Sequence, residues 1–86
     1  MQAFTLRWIQ QGETNWEPWW VQAHGHSKTH VPGQMEHISF ANHDLRMAGL
    51  PEIKVHAGSI TIETADLPRV QPVLDRHGFV VVDEGW

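Results

Sequence analysis

The sequence predicts a small α+β domain with a mixed or antiparallel sheet of four or five strands. One main C-terminal helix, over residues about 66–77, is expected to pack on one face of the sheet. Three patterns predict this class: alternating side chains in residues 3–10, two further alternating runs in residues 52–63, and helical spacing of apolar residues in 66–77. The 86 residues predict a single domain, 1–86.

The first strand, AFTLRWIQ, places Phe4, Leu6 and Trp8 on one side and polar residues mainly on the other. A second strand is predicted in residues 16–24, WEPWWVQAH, because aromatic and β-branched residues favour strands. It would begin after Pro18, pair with the first strand as a hairpin, and turn two neighbouring indoles to opposite faces.

The middle of the chain predicts a short strand followed by a short helix. Residues 35–40, MEHISF, fit the strand, and residues 41–51, ANHDLRMAGLP, fit one or two helical turns. Asn42 is a suitable cap for such a helix, and Gly49 is a suitable stop.

The clearest hairpin is EIKVHAGSITIE, residues 52–63. A two-residue turn at Ala57 and Gly58 pairs Val55 with Ile60 and places the apolar side chains on one face. Because Ala57 is not favoured in the usual primed turns, the alternative is a loop longer by two residues with the same parity.

A helix and a strand follow this hairpin. Asp66 is the predicted N-cap and Gly78 the left-handed stop, while Pro72 favours an irregular first turn or a start near Gln71. The run FVVVDE, residues 79–84, predicts a buried strand. The element order of the last half of the chain resembles that of ferredoxin-like folds, which host many unrelated functions.

The composition of the chain argues against nucleic-acid and membrane partners and favours one compartment. Ten acidic and six basic residues give a net charge of −4, and the basic residues are scattered, so no direct nucleic-acid binding is expected. No apolar run reaches the roughly 20 residues that span a bilayer, so no membrane partner is expected. The absence of cysteine and of a visible secretory signal favours the cytoplasm.

The segment VQAHGHSKTH holds three histidines within seven residues: His24, His26 and His30. Imidazoles at this spacing could bind zinc, nickel or copper, and His37 or His43 could supply a fourth ligand. The alternative is a solvated polar loop, which the glycine and the absence of nearby carboxylates favour.

Trp16, Trp19 and Trp20 lie within five residues and predict core packing, an exposed protein-binding surface, or both. The acidic tail, with Asp83, Glu84 and Trp86, could dock on a basic partner or end as a solvated strand. A surplus indole could be covered by Pro18, by a loop, by a second copy of the chain or by a partner protein.

No nucleophile elbow, phosphate loop or HExxH motif occurs, so no catalytic residues are predicted. The sequence therefore favours a non-catalytic protein-binding domain that acts through an aromatic and acidic surface. An inhibitor or accessory protein of the kind that mobile elements encode, directed at a nucleic-acid-handling complex, fits this description. The alternative is a histidine-dependent metal-binding protein, and either could form a homodimer.

Overall fold

The computed structural model describes residues 2–9, 15–25 and 30–83, and these ranges contain four strands and three helices. In chain order they are β1 (Gln2–Trp8), α1 (Pro18–His24), α2 (Gln34–Met47), β2 (Ile53–His56), β3 (Ser59–Thr64), α3 (Leu67–Arg76) and β4 (Phe79–Asp83). The predicted α+β class and the C-terminal helix are confirmed.

The four strands form an antiparallel sheet in the order β2-β3-β1-β4. The central strand β1 pairs with β3 on one side, where Phe4 lies opposite Ile62, and with β4 on the other, where Leu6 lies opposite Val81. The succession β1, α2, β2, β3, α3, β4 with this strand order is the ferredoxin-like topology, and α1 is an addition between β1 and α2.

The β2–β3 hairpin confirms the predicted register, with Ile53 opposite Ile62 and Val55 opposite Ile60. Its turn residues, Ala57 and Gly58, both have positive φ, at 50° and 83°. Positive φ at both central residues is the requirement of the type I′ turn, whose twist matches that of the flanking strands.

A mainly aliphatic core, which also contains two phenylalanines and is called the aliphatic core below, fills the space between one sheet face and the helices α2 and α3. The predicted inner side of β1 is confirmed, since Phe4 and Leu6 are buried while Arg7 is exposed. The buried members of this core are Phe4, Leu6, Ile38, Ala41, Leu45, Ile53, Ile60, Ile62, Val70, Leu74 and Phe79.

The predicted strand at residues 16–24 is wrong, because most of this segment forms α1. Pro18 stands in the first turn, where its missing amide costs no hydrogen bond, and Gly25 ends the helix in the left-handed conformation with φ 64°. Packing of the tryptophans on α2 outweighs their preference for strands.

The predicted strand at 35–40 is also wrong, because these residues belong to the 14-residue helix α2. Asn42 lies inside this helix and is not its cap. Its side chain instead reaches β2, where it accepts a hydrogen bond from the Ile53 amide at 2.6 Å and donates one to the Ile53 carbonyl at 3.1 Å.

Two details at the C-terminal end of the described chain differ from the expectations. The helix α3 begins at Leu67 and continues through Pro72, so the alternative start near Gln71 is wrong; Asp66 is the N-cap residue but makes no side-chain capping bond. The strand β4 is not fully buried, because it is a sheet edge and Val82 is 54% exposed.

None of the three described helices combines the length and apolar character needed to span a bilayer.

Candidate functional site

A cluster of aromatic rings centred on Phe40 lies beside the aliphatic core. Phe40 is completely buried, and the indoles of Trp16, Trp19 and Trp20 surround it with centroid distances of 6.0, 5.9 and 5.5 Å. All three indoles meet the phenyl ring at steep angles of 73–83°, the edge-to-face arrangement that aromatic quadrupoles favour. We call these four residues the aromatic cluster.

The aromatic cluster accounts for the position of α1. No residue within α1 is buried, so the helix has no aliphatic face of its own in the core. Trp19 and Trp20 both contact Phe40, which is possible because neighbouring residues on a helix lie only about 100° apart. The prediction that these two indoles face opposite sides is therefore wrong.

Each tryptophan in the described ranges also stacks on a different histidine. The ring pairs and their centroid distances are Trp8 with His37 at 5.4 Å, Trp16 with His30 at 5.8 Å, Trp19 with His43 at 4.1 Å and Trp20 with His24 at 4.0 Å. All four indoles are half-buried. The histidine rings therefore cover part of the indole surface for which the sequence did not identify a covering residue.

These contacts define the surroundings of the histidines proposed as metal ligands. His24 ends α1, and its Nδ1 lies 3.1 Å from the Trp20 carbonyl oxygen. The Trp16 indole donates a hydrogen bond to the His30 carbonyl, while His26 lies outside the described residues. Within 2–9, 15–25 and 30–83, no group of three histidine or carboxylate side chains is placed to hold a metal ion. Binding of zinc, nickel or copper by the full triad stays a prediction.

The exposed sides of Trp19 and Trp20 form a wall of a groove that runs along α2. One part of the groove has a volume of about 260 Å³ and is lined by Trp19, Trp20, Ser39, Asn42, His43, Arg46 and Glu52. An adjoining part of about 250 Å³ is lined by Trp20, Met35, Glu36 and Ser39. Because Trp20 and Ser39 line both parts, we treat them as one feature and call it the indole groove.

The indole groove combines apolar and charged surfaces. Met35, on its rim, is 61% exposed. Arg46 and Glu52, at the other part, form an ion pair with 2.8 Å between Nη2 and Oε1. The groove therefore offers indole and thioether surface between polar groups, the composition typical of protein-binding sites.

A polar network beneath the aromatic cluster joins α2 to the end of α3. The buried His77 donates a hydrogen bond from Nε2 to Oδ2 of Asp44 at 2.7 Å, and Arg76 Nη1 lies 3.3 Å from the same oxygen. Arg76 also reaches Glu17, just before α1, at 3.6 Å. Partial burial raises the pKa of Asp44, but the hydrogen bond from His77 and the charges of His77 and Arg76 outweigh it and hold the pKa below 3.8.

His37 is the second buried histidine and is only 8% exposed. Neither of its buried ring nitrogens has a hydrogen-bond partner among the residues that the structure describes, and its ring faces Trp8 and Phe40. Burial and the neighbouring His77 lower the pKa of His37 below 6.5, although the carboxylates of Glu17 and Glu36 partly oppose this.

The free energy of unfolding is expected to fall as the pH drops below 6.5, the ordinary pKa of histidine. In that range the unfolded chain binds a proton at His37 that the folded chain resists, so folding is progressively opposed. One such group contributes a slope of at most about 1.4 kcal/mol per pH unit. Urea unfolding at a series of pH values measures this slope.

His37→Leu should reduce the slope between pH 7 and pH 5, while His56→Leu, at an exposed position on β2, should leave it unchanged. An identical pH dependence in wild type and His37→Leu would show that His37 does not oppose folding at acid pH.

The structure brings together three of the site residues that the sequence proposed: Trp16, Trp19 and Trp20. Asp83 is the last residue of β4, and Glu84 and Trp86 lie outside the described residues. The sequence interpretation missed Phe40, Met35 and Ser39 as contributors to this site. The signal was the helical spacing of Ile38, Ala41 and Leu45, which predicts one helix over residues 34–47. In such a helix Met35 and Ser39 lie on a different face from these buried residues.

Comparisons with known proteins give no relative for this chain. No protein-family model matches it, and no match is found among the curated proteins or the solved structures. Its function is therefore inferred from the geometry of the molecule.

Proposed function

We propose that this chain is a small non-catalytic protein-binding domain that holds its partner in the indole groove. The observation that carries the proposal is the pair of half-buried indoles, Trp19 and Trp20, aligned along a groove beside the exposed Met35. Tryptophan and methionine are enriched in protein interfaces, and tryptophan is common among the residues that dominate binding energy.

The packing of the indoles supports this role. Trp19 and Trp20 are fixed on one side by Phe40 and stacked against His43 and His24. A partner that covers their remaining surface gains apolar contact without having to order these side chains first. Pre-organisation of this kind lowers the entropic cost of association.

Charge suggests the class of partner. The net charge of −4 favours encounter with a basic surface, such as that of a nucleic-acid-handling complex. We propose an inhibitor or accessory role toward such a complex, in the cytoplasm, where a cysteine-free sequence is well suited.

The experiment is affinity capture from lysate followed by titration with the captured protein in purified form. Ser39→Arg is the blocking variant, because Ser39 lies where the two parts of the groove meet. Met47→Arg is the matched control: it adds the same side chain to the same helix at a position that is 76% exposed and does not line the groove.

We expect Ser39→Arg to weaken binding at least tenfold, or by about 1.4 kcal/mol, and Met47→Arg to bind like wild type. Capture alone does not support the proposal, since any exposed apolar surface retains some protein. Failure to capture any protein, or equal affinities of wild type and Ser39→Arg for the purified partner, would refute it.

A further inference from the structure

The two parts of the indole groove differ in charge. At the part lined by Arg46 and Glu52, these two side chains pair with each other, with 2.8 Å between Nη2 and Oε1, so their charges balance. At the other part, Glu36 is the only charged residue among the described side chains that line it. We call this part the Glu36 end of the groove. It presents a negative charge beside the indole of Trp20 and the thioether of Met35.

The Glu36 carboxylate is only partly engaged by the rest of the molecule. Its Oε2 accepts a hydrogen bond from the Gly33 amide at 3.3 Å, at the start of α2. No lysine or arginine in the described part of the chain forms an ion pair with it. The neighbouring His37 does not supply a positive charge at pH 7, because burial lowers the pKa of His37 below 6.5. Within the described residues, the charge of Glu36 is therefore not compensated.

The structural role of Glu36 does not require this charge. At the third position of a helix, glutamine can make the same bond to the backbone amide of the cap residue. A negative charge also favours the helix dipole, but that contribution is small at a helix end near the surface. A half-buried carboxylate beside apolar surface is better suited to a cation, because partial removal from water reduces the screening of its charge.

We propose that the Glu36 end of the groove receives an arginine side chain of the partner protein. This inference rests on the proposed function, since it names the residue type that the groove recognises. The aliphatic stem of an arginine can lie against Trp20 and Met35 while its guanidinium donates a charge-assisted hydrogen bond to Glu36. Arginine is favoured over lysine because a guanidinium is planar and more weakly hydrated than an ammonium group.

Two blocked tripeptides test the site without the natural partner. The probe is acetyl-Leu-Arg-Leu-amide, and its counterpart carries citrulline, which has nearly the shape of arginine but no charge. Amide chemical shifts of Met35, Glu36 and Ser39 in ¹⁵N-labelled protein report binding. The titration extends to about 10 mM peptide, because contacts of a few side chains correspond to a Kd of about 1 mM or weaker.

Two glutamine variants provide the matched comparison. Glu36→Gln removes the charge and leaves an amide oxygen that can accept the bond from Gly33. Glu63→Gln changes the net charge by the same amount at an exposed position on β3 that does not line the indole groove. Circular dichroism establishes that both variants are folded.

We expect wild type to bind the arginine peptide about threefold more tightly than the citrulline peptide, as for a partly exposed ion pair. Glu63→Gln should keep this preference and Glu36→Gln should lose it. Salt at about 1 M should reduce the preference in wild type. Three results would overturn the proposal: no binding of the arginine peptide to wild type, equal affinities of wild type for the two peptides, or an arginine preference that survives Glu36→Gln.

The purified partner separates this inference from the proposed function. Weaker binding of the partner to both Ser39→Arg and Glu36→Gln supports both. If Ser39→Arg weakens binding and Glu36→Gln does not, the groove holds the partner through other contacts and the arginine inference fails. If wild type prefers the arginine peptide but Ser39→Arg binds the captured protein like wild type, the Glu36 end still binds arginine side chains and only the proposed function fails.

Discussion

Phe40→Ala is expected to lower the free energy of unfolding by about 3–5 kcal/mol, the usual cost of removing a buried phenylalanine ring. Phe40 is completely buried, and three indoles close around it. Its removal leaves a cavity that these large rings cannot fill without moving. Loss of this ring also removes its contacts with Trp19 and Trp20, which help to hold α1 against α2.

Chemical denaturation monitored by circular dichroism measures the loss of stability, and tryptophan emission reports on α1. We expect the emission of the folded variant to shift to longer wavelength as the indoles become hydrated. Met47→Ala is the control on the same helix, since Met47 is 76% exposed and should change stability by no more than about 0.5 kcal/mol. Similar free energies of unfolding for Phe40→Ala and Met47→Ala would show that the Phe40 ring does not stabilise the fold through the aromatic cluster.

Asp44→Ala is expected to cost about 2 kcal/mol at pH 7, because it leaves the buried His77 without its hydrogen-bond acceptor. Arg76 loses one of its carboxylate partners as well. Asp44→Asn should have a smaller effect, since the amide oxygen can still accept the bond from His77.

The effect of Asp44→Ala should depend on pH in a defined direction. The pKa of Asp44 is lower in the folded protein than 3.8, so its stabilising contribution is present above that pH and is lost as the pH falls through the folded pKa. Urea unfolding of wild type and variant should therefore give curves that converge in acid. Asp75→Ala, at an exposed position on α3, is the control and should remain near wild type at pH 7. A pH-independent difference for Asp44→Ala would mean that its carboxylate charge does not contribute.

The β2–β3 hairpin and α3 could be predicted from sequence because each has a single buried face. The alternation of Ile53, Val55, Ile60 and Ile62 determines the register, and the spacing of Val70 and Leu74 indicates the helix. Such patterns are informative when apolar residues recur with one period.

The helices α1 and α2 could not be recognised in the same way. In α2, Ile38 and Leu45 face the aliphatic core, whereas Phe40 faces α1, so apolar side chains occupy two sides and obscure the helical period. In α1, the tryptophans favour a strand when considered alone, and their helical packing depends on Phe40. Tertiary contact, which no local pattern contains, decides these elements.

The candidate site was predictable in part for the same reason. The density of indoles marked Trp16, Trp19 and Trp20 as residues of interest. Their common contact with Phe40 and the groove beside α2 required α1 to be helical and docked. The sequence also did not indicate that the histidines would serve as stacking partners of the indoles.

The most direct test of the partner-binding role is ¹⁹F NMR of protein labelled with 5-fluorotryptophan, titrated with the purified partner obtained by affinity capture. The five tryptophans give separate probes, and individual Trp→Phe variants assign them. Trp8 is the internal control, because it stacks on His37 and does not line the groove. We predict that the signals of Trp19 and Trp20 shift on binding while that of Trp8 does not. A titration that shifts Trp8 and leaves Trp19 and Trp20 unchanged would contradict the assignment of the indole groove as the binding site.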